Sequence, residues 1–147
     1  IDFWGYNSRL DTLQAAILRP RLRELPNVIE RRRANARKYQ EGLAGVVECP
    51  VERPEEFHTY HLFVIQCDRR DELIKSLHSQ GIDAKIHYPI PIHRQRAAQY
   101  LGYGPGSLPE TERQAQRILS LPIHQYLTDL QISLVVDAIR KFYKGSR

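Results

Sequence analysis

The sequence predicts an α+β fold: a small, largely antiparallel sheet covered by helices, preceded by a long helix pair that proline kinks or breaks. Three observations carry this. Apolar residues recur at gaps of three and four from Leu13 to Leu43. One stretch, His58 to Cys67, is aromatic and β-branched without Gly or Pro, the strongest strand signal in the chain. The segments then read strand, strand, helix, strand, helices, short strand and helix, with no internal repeat or low-complexity tract.

The first helix starts at Asp11. Asp11 with Gln14 resembles a capping box, and Leu13, Ile17, Leu18, Leu22 and Leu25 follow at helical spacing. Pro20 removes an amide and crowds the Ala16 carbonyl, so a kink or break is expected there, with a second break at Pro26. Asn27 then caps a helix over 28–43, which carries Ile29, Ala36, Tyr39 and Leu43 and stops at Gly42 to Gly45. Val46 to Pro50 reads as a short strand, and the long strand follows after the acidic turn around Pro54. Asp68 is placed as the cap of a helix over 70–79, with Leu73, Ile74 and Leu77 on one face and Gly81 ending it.

Ile82, Ala84 and Ile86 alternate with Asp83, Lys85 and His87, the pattern of a half-buried strand. Pro89-Ile90-Pro91-Ile92-His93 reads as an extended loop, because residues before proline avoid the helical region. Short helices are expected over 95–101 and 110–118, joined by the glycine-rich turn Gly102 to Gly106. An apolar segment, Leu119 to Ile123, leads to a final helix that Thr128 and Gln131 start with another capping box.

Composition narrows the function classes. With 41% hydrophobic and 27% charged residues the chain is an ordinary globular one, and no apolar run is long enough to span a bilayer. It opens Ile-Asp-Phe-Trp and contains no methionine, which points to a fragment or processed piece. Cys49 and Cys67 form no CxxC and no zinc spacing; as buried free thiols they suit a reducing, cytoplasmic setting. The net charge of +5 is uneven, with eight basic residues between Arg19 and Lys38 against Glu24 and Glu30. Such a block suits nucleic acid, but leucines and alanines interleave it at helical spacing and no stacking aromatics accompany it, so a solvated helix face explains it as well.

The residues alone supply no complete catalytic set. His58 and His61 stand three apart on the expected strand and point to opposite faces, so no shared metal, and no metal site, is expected. His87 and His93 flank the proline loop with Tyr88 beside the first, a grouping able to meet a substrate. Asn7 and Arg9 stand just ahead of a helix start, where amide dipoles and a fixed charge favour an anion. No Ser-His-Asp signature, P-loop or GxGxxG is present.

Taken together, the segments resemble the DegT/StrS-type sugar aminotransferases. Gly5-Tyr6-Asn7-Ser8-Arg9-Leu10-Asp11 with Leu13-Gln14-Ala15-Ala16-Ile17-Leu18 is similar to that family's G-x-N-x-R-x-D-x-x-Q-A-A-x-L segment. Arg33-Ala34-Asn35-Ala36 with Tyr39, Tyr60-His61-Leu62-Phe63-Val64, Arg70-Asp71-Glu72-Leu73 and Gly81-Ile82 also resemble it. So do His87-Tyr88-Pro89-Ile90-Pro91-Ile92-His93-Arg94-Gln95, Leu108-Pro109-Glu110-Thr111-Glu112 and Leu119-Ser120-Leu121-Pro122-Ile123, all in the family's order.

The resemblance implies a fold-type-I enzyme that uses pyridoxal 5'-phosphate (PLP) to transfer an amino group, from glutamate, to a keto-sugar nucleotide. This chain would be its C-terminal portion. Residues 1–43 would form a cofactor-contacting loop and linker helices leading out of a missing large domain, and residues 44–147 the small domain. The lysine forming the Schiff base would lie upstream of Ile1, leaving no catalytic residue in the chain. The resemblance further implies a homodimer with shared active sites, in which Asn7 and Arg9 reach the neighbouring subunit's cofactor phosphate. His87, Tyr88 and His93 are then expected at the nucleotide-sugar pocket. The other readings are a basic nucleic-acid-binding module, or a same-family dehydratase or non-sugar aminotransferase.

Overall fold

The apolar spacing that opens the chain builds one helix rather than two. In the computed structural model, which describes residues 11–145, α1 spans Thr12–Leu43 with Pro20 and Pro26 both inside it. The breaks expected at these prolines do not occur. Each proline removes one amide and frees the carbonyl four residues earlier, on Ala16 and Leu22. Both of those residues are exposed, so solvent can satisfy the freed carbonyls, and the turns on either side continue the ladder. At its start, Gln14 Oε1 accepts from the Asp11 amide at 3.3 Å, one arm of the expected capping box.

The described chain divides into two compact units, residues 11–26 with 88–116 and residues 27–87 with 117–145. The larger, second unit holds the sheet. Strand β1 (Phe63–Gln66) pairs antiparallel with β2 (Ile118–Leu121), Phe63 opposite Leu121 and Gln66 opposite Ile118. Single bridges, Glu48 to Gln66 and Lys85 to Ser120, extend it on either side. The strands expected at Val46 to Pro50 and Ile82 to Ile86 therefore exist only as these bridges, although Ala84 is buried between exposed Asp83 and Lys85 as the alternation requires.

The long strand is shorter than its composition suggests. Only Phe63–Gln66 enter the ladder, because side chains take the backbone groups of the preceding residues. The Tyr60 amide donates to His58 Nδ1 at 2.9 Å, and Tyr60 lies at φ 48°. Arg32 Nη1 donates to the carbonyls of Tyr60 (3.2 Å), His61 (2.9 Å) and Ile123 (3.2 Å), and Arg33 Nη1 to that of His58 (2.7 Å). With His58 and His61 outside the strand, the opposite-face argument about them has no basis. Among the described residues no group of three or more His, Cys, Asp or Glu side chains is arranged to hold a metal ion.

Helix α2 (Arg70–Ser79) follows, and its N-cap is Arg69 in the left-handed region (φ 54°, ψ 33°), not Asp68. No side chain caps it; the Arg69 guanidinium pairs instead with Glu72 in the first turn. Its end is as the glycine signal predicts. Gly81 sits at φ 75°, with the Gly81 amide bonded to the His78 carbonyl and the Ile82 amide to that of Leu77, both at 3.0 Å. The last helix, α4 (Asp129–Lys144), opens on the full Thr128–Gln131 capping box.

The core lies where α1, the sheet, α2 and α4 contribute Tyr39, Phe63, Ile65, Leu73, Leu77 and Ile139, all fully buried. Tyr39 packs its ring 5.1 Å from that of Phe63 and donates its hydroxyl to the Pro122 carbonyl at 3.0 Å. Gly42 is no helix stop but a point of close approach: a Cβ there would meet both Val136 methyls at 2.9 Å. The left-handed glycine that follows the helix is Gly45, at φ 72°. Cys67 is buried and Cys49 half-buried, both free, with burial pushing the Cys49 thiol up to about 11.

The smaller unit contains the first part of α1, two 3-10 segments (Ile92–Arg94 and Arg96–Leu101) and most of the next helix, α3 (Pro109–Arg117). The loop expected to be extended through His93 thus turns at Ile92. The helix expected over 95–101 winds as 3-10 and ends on Gly102, at φ 74°. Among the described residues of this unit the buried apolar ones are Ala97, Ala98 and Ala115.

Candidate functional site

Asn7 and Arg9, the residues expected at a phosphate, lie outside the described residues. The chain just after them is described: Asp11 caps α1, and the Ala15 amide bonds to its carbonyl at 2.9 Å. A helix start therefore follows Asn7 and Arg9 directly, as expected.

The His-Tyr-Pro loop divides at His87. In the larger unit, His87 is half-buried and its Nδ1 lies 2.9 Å from Ser120 Oγ, a hydroxyl buried on β2. The second segment of the smaller unit begins at Tyr88, which is 71% exposed, with Ile90 and Ile92 also exposed. A cavity of about 660 Å³ is lined there by Tyr88, Pro89, Ile90, Ile92, Arg94 and Arg96. Its size and its mix of apolar wall and cationic groups suit a small organic ligand.

His93 behaves differently from its neighbours. It is buried, its Nε2 lies 3.1 Å from Glu112 Oε1, and its ring meets that of Tyr103 edge-on at 6.4 Å. Glu112 also accepts the Gly106 amide on both oxygens, at 2.9 and 3.1 Å, and faces Arg94 Nη1 at 3.5 Å. The Gly106 amide first, and His93 after it, hold the Glu112 carboxyl below the usual carboxylate range. An ionised carboxylate only accepts, so His93 Nε2 carries the proton of that bond. Sequence reasoning did not connect Glu112 to His93. Its only local signal is an acidic first turn behind Pro109, which marks a helix start but names no partner.

The C-terminal half of the basic block, Arg32 to Lys38, pairs within the fold, while Arg19, Arg21, Arg23 and Arg31 are exposed. Arg32 holds three carbonyls, Arg33 pairs with Glu52 at 2.6 Å, Arg37 with Glu30 at 3.5 Å, and Lys38 with Asp129. The Arg33 guanidinium, with the His58 amide, holds the Glu52 carboxyl below its ordinary range. Phe57 covers Arg33 with its ring, 4.6 Å from centroid to guanidinium carbon. Neither a solvated face nor a nucleic-acid grip describes Arg32 and Arg33, whose guanidinium groups bond within the unit. Lys85, the lysine nearest the loop in sequence, is exposed and pairs with Asp83 at 2.9 Å.

Comparison with known proteins gives a consistent answer. The chain is 45% identical over 142 residues to the dTDP-3-amino-3,4,6-trideoxy-alpha-D-glucose transaminase of Streptomyces venezuelae, covering 94% of this chain and 37% of that protein. It is 37% identical over 145 residues to the UDP-N-acetyl-3-dehydro-alpha-D-glucosamine 3-aminotransferase of Acidithiobacillus ferrooxidans, covering 98% of this chain and 39% of that protein. A crystal structure of S. venezuelae DesV in complex with a ketimine intermediate superposes with a TM-score of 0.88 at 44% identity, over 94% of this chain and 38% of that one. The chain thus spans well under half the length of the curated relatives it matches. Residues 2–140 match the DegT/DnrJ/EryC1/StrS aminotransferase family, and the chain belongs to that family.

Proposed function

We propose that the whole protein to which this chain contributes is a PLP-dependent aminotransferase that moves an amino group from glutamate to a keto-sugar nucleotide. The observation that carries the reading is the family match along 2–140, joined to 45% identity with a nucleotide-sugar transaminase. Residues 1–43 supply the cofactor-contacting loop and linker helix, and residues 44–147 the small domain. The relatives act on dTDP- and UDP-linked sugars by their names, so the nucleotide is left as a pair of candidates.

The residues present fit the cofactor. Asn7 and Arg9 stand in sequence just ahead of the helix that follows Asp11, and an amide, a guanidinium and first-turn dipoles together favour a phosphate dianion. These two side chains would hold the cofactor phosphate of the neighbouring subunit of a homodimer. When bound, the cofactor supplies an electron sink for the transferred group, while the lysine that anchors it lies upstream of Ile1. His87 and Tyr88 contact the nucleotide-sugar, and His93 contributes by holding the loop that carries Tyr88. Exposed Leu13, Ile17, Leu18 and Leu22 along the first turns of α1 support a piece that works within a larger assembly. The setting proposed is the cytoplasm. A same-family dehydratase, or an aminotransferase for a non-sugar ketone, is separated from this reading by the upstream residue that takes the lysine's place and by the substrate consumed.

The test is Arg9→Ala in the full-length protein. Losing a charge-assisted hydrogen bond should weaken PLP retention by about 1–3 kcal/mol, read by equilibrium dialysis. Unchanged retention would overturn the role given to Arg9.

A further inference from the structure

The loop that carries Tyr88 contains Pro89 and Pro91, which offer no amides to a ladder. Its backbone ties are short-ranged: the Arg94 amide to the Pro91 carbonyl at 2.9 Å and the Gln95 amide to that of Ile92 at 3.1 Å. Such contacts set local turns but do not fix where the loop stands. Two further groups of the loop, the His93 imidazole and the Arg94 guanidinium, converge on one carboxylate, that of Glu112 on α3. The same carboxylate takes the amide of Gly106, which sits at φ 81° in the turn after the 3-10 segment. Three separate segments of the smaller unit are therefore joined at one side chain.

This clasp has an address. Arg94 faces Glu112 and also lines the 660 Å³ cavity, together with Tyr88 and Arg96. His93 is buried while its neighbours Ile92 and Arg94 are exposed and line the cavity, so its ring roots the loop and the cavity wall stands outward from it. Removing the carboxylate would leave a buried imidazole and a left-handed glycine amide without their acceptor, and would release the guanidinium that faces it. Binding groups need support of this kind, because small displacements of the contacting atoms cost disproportionate affinity.

We infer that Glu112 is the positioning residue of the Tyr88–Arg96 loop, setting through His93, Arg94 and Gly106 the cavity that receives the nucleotide. The inference rests on the reading that Tyr88 belongs to a nucleotide-sugar pocket. Glu112 itself touches neither substrate nor cofactor in this scheme.

The experiment uses the full-length, PLP-loaded protein and its Glu112→Ala and Glu112→Gln variants. UDP and dTDP are the probes, titrated by calorimetry, with hydrogen exchange followed along the chain. Glu112→Ala should weaken the tighter nucleotide about tenfold or more. It should also lose amide protection between residues 88 and 106, while PLP retention and protection across β1 and α2 stay unchanged. Glu112→Gln keeps an acceptor for Gly106 but no charge for Arg94, so it should retain the turn's protection and fall between the two in affinity. Wild-type affinity in Glu112→Ala, or loss of protection spread evenly through β1 and α2, would overturn the positioning role alone. Failure of the wild type to bind either nucleotide would instead defeat the proposed substrate, and this inference with it.

Discussion

The two units solve the burial problem in opposite ways. The larger unit closes a core of aromatic and branched side chains around Tyr39, Phe63 and Ile139. Among its described residues the smaller unit buries only alanines with one histidine, and leaves Leu13, Ile17, Leu22, Tyr88, Ile92 and Tyr100 exposed. At about 25 cal/mol per Å² of apolar surface, three alanines contribute little beside a tyrosine, a phenylalanine and several leucines. The smaller unit is therefore held by polar bonds, with Glu112 at their centre, and spends its apolar side chains on its surface. The lesson is one of division of labour: stability resides where the large side chains are buried, and the surface of the smaller unit is where the proposed recognition would take place.

The sharpest way to break this comparison is truncation on each side of it. Tyr39→Ala should cost about 3–5 kcal/mol, since it empties the core and strips the Pro122 carbonyl of its donor. Leu13→Ala, on an exposed turn of α1, should stay within about 0.5 kcal/mol. Denaturant unfolding of both variants measures the contrast, and equal costs would abolish it.

A smaller effect tests the arginines of α1. Arg32→Ala leaves three carbonyls without their shared donor and should cost about 1–3 kcal/mol, whereas exposed Arg31→Ala should cost almost nothing. Thermal unfolding of the pair decides whether this block is internal support or a solvated face.

The smallest effect is one of pH. Glu52 is held low by Arg33, and a depressed carboxylate adds stability above its unfolded value of about 4.3, then loses it as the pH falls through its lower folded value. Glu52→Gln should therefore flatten the acid limb of stability below about pH 4.3 and leave its shape near neutrality unchanged. A wild-type slope in the variant, followed by unfolding across that range, would remove the pair from the account.

Much of this architecture was legible beforehand where a signal is local. The Thr128–Gln131 box, the span of α2 and its ending at Gly81 depend on groups within about a turn of one another in the chain. The His58 to Leu62 stretch was not legible, since the arginines that draw its carbonyls away from a ladder stand 25 to 29 positions earlier. Likewise the candidate site showed its histidines, tyrosine and prolines, but not the carboxylate that orders them, which comes 19 residues after His93.

By itself the amino-acid sequence determined the α+β class, the Thr128–Gln131 cap, the glycine turn that ends α2 and the family resemblance, because capping boxes, periodicity and motif order are properties of neighbouring residues. Tertiary structure alone decided that α1 runs through both prolines, that two strands shrink to single bridges and that Glu112 gathers the loop. Each of these depends on which distant groups compete for the same backbone or side-chain partner, and that competition exists only once the chain has folded.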